Sequence, residues 1–233
     1  MNRIFSSIHF MILFSFIFSN EGQFALTGSN ETHSTISLQS STEVRAVLDG
    51  HSRIAKEGDG HTTDMGMPEL PTYTTFYQLD PKKTYRYEFE IVDSYIIDDI
   101  KIIPHQGVKS HWEVKKISKL NREFYFSTES YPAQNLVVSD RIQSRGIEMI
   151  SLQVTPYIYH PADQKLEVFN QVKIHIIEDG ENPAGLLVQP VKSRIFEQLY
   201  KSMIINFESS TREEDFQQSA ILYICGGNSE TNN

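Results

Sequence analysis

Cysteine is nearly missing from this 233-residue chain: Cys225 stands alone, which excludes a disulfide framework and a thiolate metal cluster. Set in an apolar run, it reads as a small buried hydrophobe. Positive charge is also scarce. Lys and Arg number 21 against 30 Asp and Glu, giving a formal charge of -9, with no basic run or aromatic-basic interleaving. Such an acidic, self-repelling surface disfavours nucleic acid and anionic membrane as partners. Internal repeats are absent and helical periodicity is rare. There is a single tryptophan, Trp112, which reads as core packing.

What is present is alternation. In Arg145–Glu178, RGIEMISLQVTPYIYHPADQKLEVFNQVKIHIIE, apolar residues recur at every second position: Ile150, Leu152 and Val154, later Val172, Ile174 and Ile176. That spacing lines one face of a pleated strand. The polar turn HPADQK predicts a hairpin between Tyr157-Ile158-Tyr159 and Leu166–Phe169, and a third strand is expected after Asn170-Gln171. Three antiparallel strands with one apolar face need a second layer over them.

Taken in order, the chain opens with Met1-Asn2-Arg3 and the apolar segment IFSSIHFMILFSFIF, closed by Ser19-Asn20. One positive charge and an apolar stretch short for a membrane span predict a secretory signal peptide over residues 1–20, cut between Ser19 and Ala25, and hence a secreted or cell-surface protein with no membrane attachment after cleavage. Residues 21–65 are polar, and we expect a flexible segment with at most an edge strand. Within it EGDGHTTD groups His61 with Asp59 and Asp64. Lacking the alternating oxygen ligands and closing Glu of a calcium loop, it reads as a solvated loop, and no metal is expected. GMPELP (Gly66–Pro71) predicts an extended segment bent at its glycine. Tyr85, Tyr87, Phe89 and Ile91 alternate with Arg86, Glu88 and Glu90 in a half-buried strand. Glu88 and Glu90 share a solvated face, which is not how glycosidase carboxylates confront a substrate. Short strands are then expected over 96–103, 112–117, 123–126 and 136–138.

These elements predict a mainly β fold, an antiparallel β-sandwich or jelly-roll-like domain over 66–180. A linker and one amphipathic helix follow over 181–219, with Val191, Ile195, Phe196, Leu199 and Met203 at helical spacing and Ser193 as N-cap. From residue 220 AILYICGG has the composition of a strand buried on both faces, and 220–233 is expected to begin a truncated α/β domain.

Four blocks carry a family resemblance: GMPELP, SYPAQNL (Ser130–Leu136), the Arg145–Ile176 stretch, and SRIFEQLYKSMIIN (Ser193–Asn206) followed by AILYI. Across Gly66–Ile224 the chain resembles the propeptide of the gingipain-like cysteine peptidases. The resemblance implies a latency inhibitor and folding aid whose partner is the cognate catalytic domain of the same precursor. That parent protein would be a cysteine endopeptidase with a His-Cys dyad. No catalytic residue and no cofactor carry over, and no activity is expected from the chain itself. A peptidase cleft is blocked when a side chain fills its specificity pocket on a backbone held against cutting. The stretch SDRIQSRG offers Arg141 and Arg145 as inhibitory-loop candidates, with ordinary loop charges as the competing reading. The alternative from another class is a free-standing exported β-sandwich that binds glycan or protein, presenting Tyr125, Tyr131, Tyr157 and Tyr159 as an exposed aromatic patch.

Overall fold

The computed structural model describes residues 23–54, 60–107, 116–188 and 193–208. The expected signal peptide, Trp112, Cys225 and the AILYI strand lie outside the described residues. In chain order the strands are β1 (Gln23–Ser29), β2 (His33–Gln39), β3 (Arg45–Ala46), β4 (Ser52–Arg53), β5 (Gly60–His61), β6 (Pro71–Leu79) and β7 (Lys83–Ile97). After the one-turn helix α1 (Arg122–Tyr125) come β8 (Leu136–Val138), β9 (Ile142–Ser144), β10 (Ile147–Val154), β11 (Tyr157–His160) and β12 (Lys165–Glu181), then helix α2 (Arg194–Met203).

Two antiparallel sheets face each other, as the alternation predicts. In the first, β7 follows nearly the whole of β12 along one edge, while β11 and then β2 share the other edge, with β1 beyond β2. In the second, β6 runs along one side of β10, β9 and β8 share the opposite side, and β5 extends β6. Ile36, Leu38, Val172, Ile174 and Ile176 from the first sheet meet Tyr77, Leu79, Ile150, Leu152 and Val154 from the second in one buried cluster. Each such aliphatic side chain contributes about 1.5–3 kcal/mol relative to exposure.

The Arg145–Glu178 stretch is divided between the layers. Its first strand, β10, belongs to the second sheet, because Thr155-Pro156 breaks the ladder; β11 and β12 form the expected hairpin in the first. The third strand expected after Asn170 is not separate. β12 runs unbroken through Asn170-Gln171, where a bulge against β7 absorbs the irregularity and the Asn170 amide donates to Asp93 Oδ2 at 2.9 Å.

Other expectations are corrected. β2 is an interior strand, paired with β1 on one side and β12 on the other, where residues 21–65 promised at most an edge. Hydroxyls are buried with Ile36 and Leu38: on β2 Ser34 accepts from Tyr77 Oη at 2.7 Å, and just past its end Ser40 donates to the Phe169 carbonyl at 2.7 Å. Hydrogen bonding makes those buried hydroxyls tolerable. Residues 96–103 are not one strand, since β7 ends at Ile97 and the chain turns through Asp99 at φ +54. Residues 122–125 are helical rather than extended because the Asn121 side chain accepts the Phe124 amide at 3.1 Å and caps the turn. Burial of alternate residues on β7 stops at Phe89; Ile91 is exposed.

Helix α2 lies on the outer face of the second sheet. Tyr200 and Ile204 pack on Ile147 and Met149, with Phe196 and Met203 beside them. Ser193 is at the N-cap with extended backbone, but its side chain makes no capping bond. Ile195 and Leu199 face outward, at 77% and 44% exposure.

Candidate functional site

Two places carry chemistry. The first is the stretch expected to hold Arg141 and Arg145. Residues 139–141, Arg141 among them, connect β8 to β9 outside any strand, while β9 and β10 form a hairpin whose two turn residues are Arg145 (φ +49) and Gly146 (φ +85). Positive φ at both central positions is the tight-turn geometry whose twist matches paired strands. Arg141 pairs with Glu148 across the hairpin and donates to the Lys83 carbonyl. The Arg145 guanidinium sits over the Phe196 ring, 4.3 Å from its centroid. The structure thus gives both arginines intramolecular partners, one holding two strands together and the other joining the turn to helix α2.

The second place was not foreseen. Four extended segments lie side by side: 52–54, 101–105, 66–70 and 60–62. Ser52 pairs with Ile102, Pro68 pairs with Pro104, and Thr62 N donates to the Leu70 carbonyl at 2.9 Å. The GMPELP stretch supplies the middle of this strip. Gly66 bends it at φ +76, as expected, with its would-be Cβ only 2.9 Å from Asn121 N, so no side chain fits there. The pairing brings together residues far apart in sequence. Arg53 Nε donates to Glu69 Oε1 at 2.9 Å, both side chains being almost wholly buried, at 3% and 1% exposure. Glu69 Oε2 lies 3.2 Å from His105 Nδ1, and the His61 ring is 5.2 Å from the His105 ring. The donor atoms of His61, Glu69 and His105 all lie within 4.8 Å of one another. His61, expected in a solvated loop with Asp59 and Asp64, is half-buried against this cluster.

His61 also borders a cleft of about 330 Å³ shared with Asp64, Thr72, Tyr131 and Gln153. Tyr131 Oη donates to Asp64 Oδ2 at 2.8 Å, and burial holds the Tyr131 phenol well above the ordinary tyrosine range. The sequence signal for the cluster was faint: one carboxylate, Glu69, inside an otherwise apolar MPELP.

The tyrosines suggested as an exposed aromatic patch are in the interior. Tyr157 is 0% exposed and Tyr159 1%, and both share a second core cluster with Tyr131, Phe124, Leu166 and Val168, against which Tyr125 packs. The Tyr125 hydroxyl donates to the Ile102 carbonyl at 3.0 Å. Glu88 and Glu90 are held apart by different partners, Arg86 and His175, on a solvated face. They do not confront each other across a cleft.

Comparison with known proteins follows the same outline. The chain is 23% identical over 182 residues to gingipain R1 of Porphyromonas gingivalis, covering 70% of this chain and 18% of that protein. It is 23% identical over 172 residues to gingipain R2 of the same organism, covering 65% and 23%. It therefore spans about a fifth of the length of these relatives. Among solved structures, the complex of Porphyromonas gingivalis RgpB pro- and mature domains matches with TM-score 0.63 at 19% identity, over 79% of this chain and 97% of that one. A structure addressing zymogenic latency of gingipain K from the same organism matches with TM-score 0.55 at 18% identity, over 70% and 95%. At these identities the structural likeness speaks for the fold. The Propeptide_C25 family model matches residues 37–214, from inside β2 to beyond α2, and the chain belongs to that propeptide family.

Proposed function

We propose that this chain is the propeptide portion of a secreted gingipain-like cysteine endopeptidase precursor. It keeps a cognate catalytic domain latent and helps it fold. The observation that carries the reading is the family match over residues 37–214, which takes in both sheets and the helix rather than one motif. The exposed surface supports it. β7 is an edge strand of 15 residues among the described residues, with Ile91, Val92, Tyr95 and Ile96 each at least 42% exposed. An exposed edge that carries such apolar side chains along one half is a hazard in isolation and a docking rail beside a partner. The burial of Tyr131, Tyr157 and Tyr159 removes the feature on which the free-standing binder rested.

The contacts of Arg141 and Arg145 favour scaffolding over insertion into a specificity pocket. Insertion of Arg145 would forfeit its stacking on Phe196, and Arg141 would leave Glu148 stranded. Titrating the full chain into a separately prepared gingipain-type catalytic domain tests the function. Inhibition should saturate at one chain per domain, and an absence of inhibition at micromolar chain would overturn the reading. With Arg145→Ala, inhibition is expected to persist. Its loss in a variant with normal circular dichroism would restore Arg145 as the inhibitory residue.

A further inference from the structure

We propose that His61, Glu69 and His105 form a binding site for one divalent transition-metal ion, zinc being the ion whose preferences the donors match. Two imidazoles and one carboxylate with a fourth position open are a set zinc accepts, whereas calcium and magnesium seek all-oxygen shells. The 3.2 Å between Glu69 Oε2 and His105 Nδ1 is close to the edge of a tetrahedron with metal bonds of about 2.0–2.1 Å. The donor atoms all lie within 4.8 Å of one another. His61 stands on the cleft side and is only half-buried, so rotation of its side chain can close that gap.

The surroundings meet the other requirements of a metal site. Arg53 Nε holds Glu69 Oε1 at 2.9 Å, fixing the carboxylate so that Oε2 is the oxygen turned to the histidines, as partners behind a ligand do. The cleft beside His61 supplies an entry path. Arg53 and Glu69 cancel in charge; a further carboxylate beside His61 is that of Asp64, in the wall of the same cleft. A bound ion would cross-link β5, the Gly66–Leu70 segment and the 101–105 segment. This inference is independent of the proposed latency function.

Calorimetric titration of the EDTA-treated full chain with ZnCl2, alongside CaCl2 and MgCl2, tests the site. One zinc per chain and negligible calcium or magnesium binding are expected, together with a zinc-induced rise in melting temperature. His61→Ala, on the cleft side, should keep the circular dichroism and metal-free melting of the parent while weakening zinc by on the order of tenfold or more. The double variant H33A/H175A removes another histidine pair, 3.1 Å apart on the first sheet, and should leave zinc affinity unchanged. Visible absorption of a Co²⁺-loaded chain should show tetrahedral coordination that His105→Gln abolishes. Absence of one-to-one zinc binding, full zinc affinity in the folded His61→Ala variant, or loss of affinity in H33A/H175A would each overturn the proposal.

Discussion

Replacing Arg53 by Met tests the physical core of the second site. The pair is almost wholly buried, with Nε and Oε1 2.9 Å apart. At that distance and an effective dielectric of about 20, the attraction is about 6 kcal/mol before desolvation is charged against it. Taking two ions out of water cancels much of that, so the pair adds little to net stability; removing Arg53, however, leaves the buried Glu69 carboxylate to His105 Nδ1, 3.2 Å away, at a cost of up to about 3–5 kcal/mol. Arg53→Met should therefore lose up to about 3–5 kcal/mol in urea denaturation with an unchanged slope, and melt lower by up to roughly 20 °C for a chain of this size. The double variant R53M/E69L, which removes both charges, should recover most of the loss, giving a coupling of about 2 kcal/mol or more. The measurements belong in EDTA, so that metal does not contribute. A single-variant loss under about 1 kcal/mol, or strictly additive losses in the double, would refute the stranded-charge reasoning.

Gly66→Ala places a Cβ 2.9 Å from the Asn121 amide nitrogen at φ +76; it should cost about 2 kcal/mol or more by denaturant titration. Leu152→Ala empties a fully buried position between the sheets and should cost about 2–5 kcal/mol, whereas Val137→Ala, at 49% exposure, should stay within about 0.5 kcal/mol. Burial raises the phenols of Tyr125, Tyr131 and Tyr157 above their ordinary value. The folded state thus holds protons that the unfolded chain releases, so their contribution is complete below about pH 10 and declines as pH rises above it. Ultraviolet titration should resolve late-ionising phenols among the 11 tyrosines, and a single transition near pH 10 would contradict this.

The sandwich was legible where one face is purely apolar. β10 and the β11–β12 hairpin alternate cleanly, and their turn chemistry is explicit. β2 escaped because its buried face mixes Ile36 and Leu38 with Ser34, buried Ser40 follows directly, and a hydroxyl reads as exposed until its partner is known. Asn170-Gln171 has the composition of a turn, yet pairing on both sides of β12 outweighs local propensity and leaves only a bulge. Arg122–Tyr125 has strand-like residues, but one Asn121 side chain is enough to close a helical turn. The cluster of Arg53, His61, Glu69 and His105 draws on four separate segments, and no local pattern announces which of them will pair.

The two arginines singled out from the sequence show how charge balance constrains such choices. With 30 acidic residues against 21 Lys and Arg, a cation on a strand of this chain is commonly met by a carboxylate from the next one. Lys83 lies 2.8 Å from both Glu178 and Glu181 across β7 and β12, and Arg53 meets Glu69 in the interior. Arg141 follows the same rule. Once Ser144-Arg145-Gly146-Ile147 is read as a two-residue turn, for which Gly146 is the signal, the register sets Gln143 opposite Glu148 and brings Arg141 within reach of that glutamate. A basic side chain meant for a partner's pocket must escape this pairing. Arg141 stands just before β9, where the backbone has left the sheets, so its use in a partner's pocket would exchange the Glu148 pairing for one across the interface.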